Sequence, residues 1–373
     1  MREVTEIRRL ERNSTEDYWL WLCCQKELYR PHIAKLIQYF GSPQEVFQAS
    51  GKALQDSGCL NGKQITGLLK SRAGWDKEET RHQLERKGIS FISAEQEAFP
   101  KRLKRISDCP FGIFFKGRLP AEDRKTVGIV GARRCSYYGK QMAERLASSL
   151  AEFGVVVVSG MALGIDGYAQ TAALEAGGES LAVLGCGADV CYPRRNLPLY
   201  RRLEEGGSIL SEYPPGREPL ALHFPIRNRI ISGLSDCLLV IEAKESSGSL
   251  ITADLALEQG KDIYALPGRV GDALSAGCNR LISQGAGIIV SESELLSVLN
   301  FHKKEKRKNK KPRKPLETKE ELLYSCVDLH PKSLQEIVSD TKLPIQEVMA
   351  GLTVLEMKGY VEEPRKNHYV RQE

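Results

Sequence analysis

Ten cysteines are spread along the 373 residues, yet no two stand at C-x-x-C spacing, and the six histidines never form H-E-x-x-H. Neither a metal site nor a disulfide framework is expected, and the cysteines, most of them in apolar runs, read as small buried thiols. No stretch reaches the roughly 20 apolar residues that span a bilayer. The first thirty residues mix charges throughout and lack the ordered regions of a signal peptide. A cytoplasmic protein with no membrane attachment is expected. The nucleophile turn G-x-S-x-G is missing too. Asp166, Glu242 and His223 stand near predicted strand ends without a paired carboxylate or an orienting partner, so no catalytic residue and no cofactor are expected.

The net charge of +6 loses most of its meaning once it is located along the chain. Residues 303–314 hold nine basic residues and one acid, a local +8, whereas residues 317–373 carry −4 and the remainder +2. The segment 302–316, HKKEKRKNKKPRKPL, has two prolines and almost nothing to bury, and reads as a solvated linker. A case for nucleic acid has to rest on a shaped site elsewhere.

That site is suggested by VGIVGARR and VVVVSGMALGID, where short β-branched runs each end in a glycine turn. Runs of this kind are strands covered on both faces of a parallel sheet. After residues 155–158 the turn Ser159-Gly160 leads to Gly164 and Asp166 at the start of a helical pattern, so free N–H groups face the carboxyl end of the sheet, where anions bind. Neither turn is the dinucleotide fingerprint G-x-G-x-x-G. Gly131-Ala132-Arg133 offers one glycine and then two cations, Arg133 and Arg134, suited to bidentate phosphate contacts.

Three further clusters follow predicted strands. Arg227, Asn228 and Arg229 open a helix after Pro225, and Lys244 precedes the small donors Ser247, Gly248, Ser249 and Thr252 at another helix start. Ala265-Leu-Pro-Gly-Arg269, with Gly277-Cys-Asn-Arg280 beyond it, completes the rim. Asp166 is read as a helix-start or arginine-orienting residue, and Glu242 as an orienter of loop N–H groups.

Four segments are expected: a helical domain over 1–88 of helix-hairpin-helix or sterile-alpha-motif type, an α/β domain over 89–300, a basic linker over 301–316, and a winged-helix-like domain over 317–373. Strands are expected near 111–115, 127–130, 155–159, 180–184, 207–211, 237–242, 262–265 and 287–290. In the last segment Ser333 and Glu336 form a capping box and Pro344 starts the next helix. That helix carries Gln346, Glu347, Glu356 and only Lys358, a poor surface for a phosphate-lined major groove.

Together SGMALGID, LAVLGCGADVCYP, SEYPPG, FPIRNRIISGLS, LLVIEAKESSGSLITADLALEQGKDIYALPG and GCNRLISQGA resemble the DprA/Smf family of DNA-processing proteins over about residues 99–290. The resemblance implies a Rossmann-like, mainly parallel sheet that binds single-stranded DNA without catalysis. It further implies a homodimer that protects incoming DNA and helps load the RecA recombinase in natural transformation. By position it carries over to Gly131–Arg133, to Ser159 through Asp166, to Arg227–Arg229 and to Ser247 through Thr252. Some members carry a basic residue where this chain has Leu163, and many a histidine where it has Gln170. A nucleoside monophosphate phosphoribohydrolase-like enzyme is the alternative. Its P-G-G-x-G-T-x-x-E loop is not matched by Ser247–Thr252, which runs on into Ala253-Asp254-Leu255. A transcriptional regulator using the winged helix is disfavoured by the −4 charge of that segment.

Overall fold

The computed structural model describes residues 14–299, 316, 318–328 and 330–372. The linker expected over 301–316 lies, apart from Leu316, outside the described residues. The described residues fall into two compact units, 14–134 with 143–299, and 135–142 with 316, 318–328 and 330–372.

The first unit is built on nine strands: β1 (Ser90–Ser93), β2 (Gly112–Gly117), β3 (Thr126–Val130), β4 (Val156–Ser159), β5 (Ser180–Leu184), β6 (Ser208–Ser211), β7 (Cys237–Val240), β8 (Asp262–Ala265) and β9 (Gly287–Ile288). Their order across the sheet is β1-β2-β6-β5-β4-β3-β7-β8-β9. The run from β6 to β9 is parallel throughout, and β2 and β1 continue it antiparallel. The sheet is therefore mainly parallel α/β, as the β-branched runs implied. Every residue of β3 to β7 is buried, because helices such as Ile165–Glu175 and Gly248–Glu258 are interleaved between the strands and shield their faces.

The boundary expected near residue 88 does not coincide with a break in contacts. The N-terminal helices, from Thr15–Cys23 to Lys77–Arg86, share one hydrophobic core with the sheet, in which Trp21, Leu36 and Leu54 join Phe114, Leu184 and Ile209. Trp19 stacks on Phe111 with ring centroids 5.3 Å apart. β1, absent from the sequence expectations, pairs with β2 and seals the edge that those helices approach.

In the second unit, helices Thr318–Cys326, Leu334–Thr341 and Ile345–Met357 pack with a sheet in the order β10-β12-β11, where β10 is Lys332–Ser333, β11 Val361–Arg365 and β12 His368–Arg371. Leu323, Ile337, Val348, Leu352 and Val361 form its core. The Ser333–Glu336 capping box is present, with Glu336 N donating to Ser333 Oγ at 3.3 Å and Ser333 N to Glu336 Oε2 at 2.8 Å. This is a winged-helix arrangement.

Candidate nucleic-acid interface

Strand β3 has β4 on one side and β7 on the other, so the chain reverses its direction of winding at β3 and leaves a crevice above the carboxyl ends of β3 and β7. A cavity of about 640 Å³ occupies that position. Its lining includes Gly131, Arg133 and Arg134 from the β3 loop, Asp166 from the helix after β4, Arg227 and Asn228 from helix His223–Leu234, and Lys244, Ser247, Gly248, Ser249 and Thr252 from the β7 loop and the helix after it. Eleven of the fifteen residues singled out from the sequence thus meet at one place.

Close backbone approach makes the crevice. Gly164 has φ +77°, and a Cβ there would press on Ala132 O and lie 2.7 Å from Arg133 O, so the β4 turn nests directly against the β3 loop. Ile165 N donates to Ala132 O at 3.2 Å across the same contact. A Cβ on Gly160 would overlap the Arg227 guanidinium. Met161 follows with φ +52°, a conformation unusual for a side-chain-bearing residue, and is held by the Gln170 amide. Gln170 Oε1 accepts from Met161 N at 2.9 Å, and its Nε2 donates to Ser180 Oγ at 3.0 Å.

Arg227 ties this floor together. It is 4% exposed, and its Nη1 donates to Gly160 O at 2.9 Å and to Val183 O. Its Nε is buried with no partner among the described residues, while the side chain forms part of the cavity wall. Asp166 Oδ2 accepts from Gly160 N at 3.1 Å. Burial pushes the Asp166 carboxyl above the usual carboxylate range, against the opposing pull of Arg227 and of the Gly160 N–H. Asp166 thus serves both as a helix-start residue and as a counter-charge to Arg227.

Helix Gly248–Glu258 points its N-terminus into the cavity, capped by Ser247, whose Oγ accepts from Ser249 N at 3.4 Å. Asn228 Nδ2 donates to Gly248 O at 3.4 Å and holds that N-terminus to the neighbouring helix. Arg133, Arg134 and Lys244 are exposed at the mouth.

Four of the sequence candidates do not line the cavity. Ser159 is fully buried and donates its hydroxyl to Ile129 O at 2.6 Å, and Gly160 and Gly164 shape the backbone beneath. Arg229 is the largest correction. It is 3% exposed, and its Nη2 meets both Glu212 oxygens at 2.7 Å while its Nε meets Asp108 at 2.8 Å. Residues two apart on a helix lie about 200° apart around its axis, so Arg227 and Arg229 face opposite ways.

The sequence reading also missed the aromatic wall. Tyr192 and Phe224 line the cavity and stack with centroids 5.4 Å apart at 29°, and the Arg133 guanidinium carbon lies 5.7 Å from the Phe224 ring centre. The available signal was an aromatic beside proline, Tyr192-Pro193 in the loop after β5 and Phe224-Pro225 at the start of helix His223–Leu234.

The family description "DNA recombination-mediator protein A" matches residues 90–300, and the DprA winged helix domain matches residues 307–363. Protein Smf of Synechocystis sp. is 31% identical over 96% of this chain and 99% of its own length. DNA processing protein DprA of Streptococcus pneumoniae is 44% identical over 56% of this chain and 74% of its own length. The X-ray structure of the Streptococcus pneumoniae DNA processing protein A superposes with a TM-score of 0.64 at 36% identity, covering 77% of this chain and 98% of that one. A Helicobacter pylori DNA processing protein A, whose structure describes a single-stranded DNA binding mode, gives 0.53 at 33% identity over 57% of this chain and 97% of that one. With both domains and a nearly full-length relative matched, the chain belongs to the DprA/Smf family of DNA-processing proteins.

Proposed function

We propose that this protein binds single-stranded DNA in the crevice above β3 and β7. The observation that carries the reading is the pairing of two chemistries in one cavity. Arg133, Arg134, Lys244 and the N-terminus of helix Gly248–Glu258 supply positive potential for phosphates, and the Tyr192–Phe224 stack supplies a face for bases. The single-strand binding mode described for the Helicobacter pylori relative supports it. An unpaired strand follows such a rim because its backbone bends and its bases are free to stack, whereas a duplex hides them.

Family membership extends the reading to a homodimer that protects incoming strands and hands them to RecA in natural transformation. The enzyme alternative is less well supported. Asp166 is engaged with Gly160 N and opposed by Arg227, so it is poorly placed as a free base. The winged helix is equally ill suited to reading a groove: Lys358, the cation expected there, meets both Glu320 oxygens at 2.7 Å.

Fluorescence anisotropy with matched single-stranded and duplex oligonucleotides tests the proposal. The single strand is expected to bind more tightly at equal salt. Replacing Arg133, Arg134 and Lys244 by Gln is expected to flatten the plot of log affinity against log salt by about 0.7 for each phosphate that is no longer neutralised. Equal duplex affinity, or rapid turnover of mononucleotides in the same samples, overturns it.

Arg229 is expected to behave differently from the mouth cations. Arg229→Ala leaves Glu212 unpaired beside a buried gap and is expected to cost roughly 3–5 kcal/mol of stability, read by urea denaturation. Its folded fraction is expected to keep wild-type affinity for the single strand. A stable variant that binds poorly would place Arg229 at the interface after all.

A further inference from the structure

We infer that Arg194 and Arg195, on the loop between β5 and helix Leu197–Gly206, form a second phosphate contact that carries the strand out of the crevice. The inference rests on the single-strand reading above and extends it along the edge of the sheet. The strands β7, β3, β4 and β5 stand in that order, each about 4.8 Å from the next, so the loops that leave the outermost two start about 14 Å apart. Along this line Lys244 comes first and Arg133 and Arg134 second. The β4 turn interrupts the cations with half-buried Leu163, and Arg194 and Arg195 resume them.

Exposed arginines are commonly just solvated charge, but three observations separate this pair from that case. The turn Arg194–Asn196 is clamped rather than free: Asn196 Nδ2 donates to Met161 O at 2.9 Å and to Ala162 O at 3.0 Å, which joins it to the β4 turn. Tyr192, two residues before, is part of the cavity wall and is 43% exposed, so a base stacked there puts the next backbone segment beside the turn. Finally, both side chains are exposed, and neither forms an ion pair among the described residues. The arrangement gives cations on both sides of an aromatic platform, with an apolar step between them where a base rather than a phosphate rests.

The test is the double variant Arg194→Gln/Arg195→Gln, compared with wild type and with Arg194→Lys/Arg195→Lys. Each is titrated with a long oligothymidylate over a range of salt concentrations. The Gln variant is expected to flatten the plot of log affinity against log salt by about 1.4, two single-strand phosphate contacts, while retaining preference for single strand over duplex. The Lys variant, which keeps the charges, is expected to restore the slope. A Gln variant with wild-type slope and affinity overturns this inference and leaves the crevice reading standing, as does a Lys variant that stays flat. A wild-type protein without single-strand preference overturns the functional reading, and this inference with it.

Discussion

Arg227→Ala is expected to lose roughly 2–6 kcal/mol of stability together with single-strand binding, about 1–3 for each carbonyl left without its donor, and it removes the positive charge that opposes the effect of burial on the Asp166 carboxyl. The two carbonyls are Gly160 O and Val183 O. The unfolding midpoint in urea should drop far enough to be measured without extrapolation. A second variant separates the two losses. Arg227→Met with Asp166→Asn removes both charges and is expected to recover part of the stability. It should still bind the strand weakly, because the guanidinium whose Nε is unpartnered in the cavity wall is gone. An unshifted midpoint for Arg227→Ala would show that the buried network contributes little, and full binding by the double variant would remove Arg227 from the interface.

Gly164→Ala is expected to be nearly as severe. Its φ of +77° costs an alanine about 1–3 kcal/mol in backbone strain, and the new methyl group would press on the carbonyls of Ala132 and Arg133. Those are main-chain atoms with no rotamer to escape into, so the β3 loop must move and take Arg133 with it. Both melting temperature and affinity are expected to fall. Gly248→Ala provides the contrast. An added Cβ at Gly248 meets nothing within 4 Å and needs no left-handed backbone, so its stability should stay within about 1 kcal/mol of wild type. Equal tolerance at both positions would mean that the crevice is not formed by the close approach of its two loops.

Much of this architecture was legible in the residues alone. β-branched runs at Val127–Val130 and Val155–Val158 announced doubly covered strands, and the glycines after them announced the turns. Those signals are local, and local chemistry is what a sequence states directly. The misassignment of Arg229 came from treating Arg227, Asn228 and Arg229 as one cluster although helical geometry turns their side chains to different partners. The aromatic wall was harder to see, because Tyr192 and Phe224 are 32 positions apart in the chain and meet only through the sheet. The shared core of the N-terminal helices and the sheet was equally hidden: Trp19 finds Phe111 by tertiary packing that no periodicity encodes.

Gln170 has a consequence for the conditions under which the crevice keeps its form. An amide accepts from Met161 N and donates to Ser180 Oγ at once, and it has no proton to gain or lose between about pH 5 and 8. A histidine at that point would titrate near about 6.5 and, once charged, would offer two donors to a turn that needs one donor and one acceptor. Such an imidazole would make the latch beneath the β4 turn sensitive to acid. Here the amide side of the latch, at Met161, is indifferent to acidity, and the titratable contact of that turn is the Asp166 carboxyl that accepts from Gly160 N.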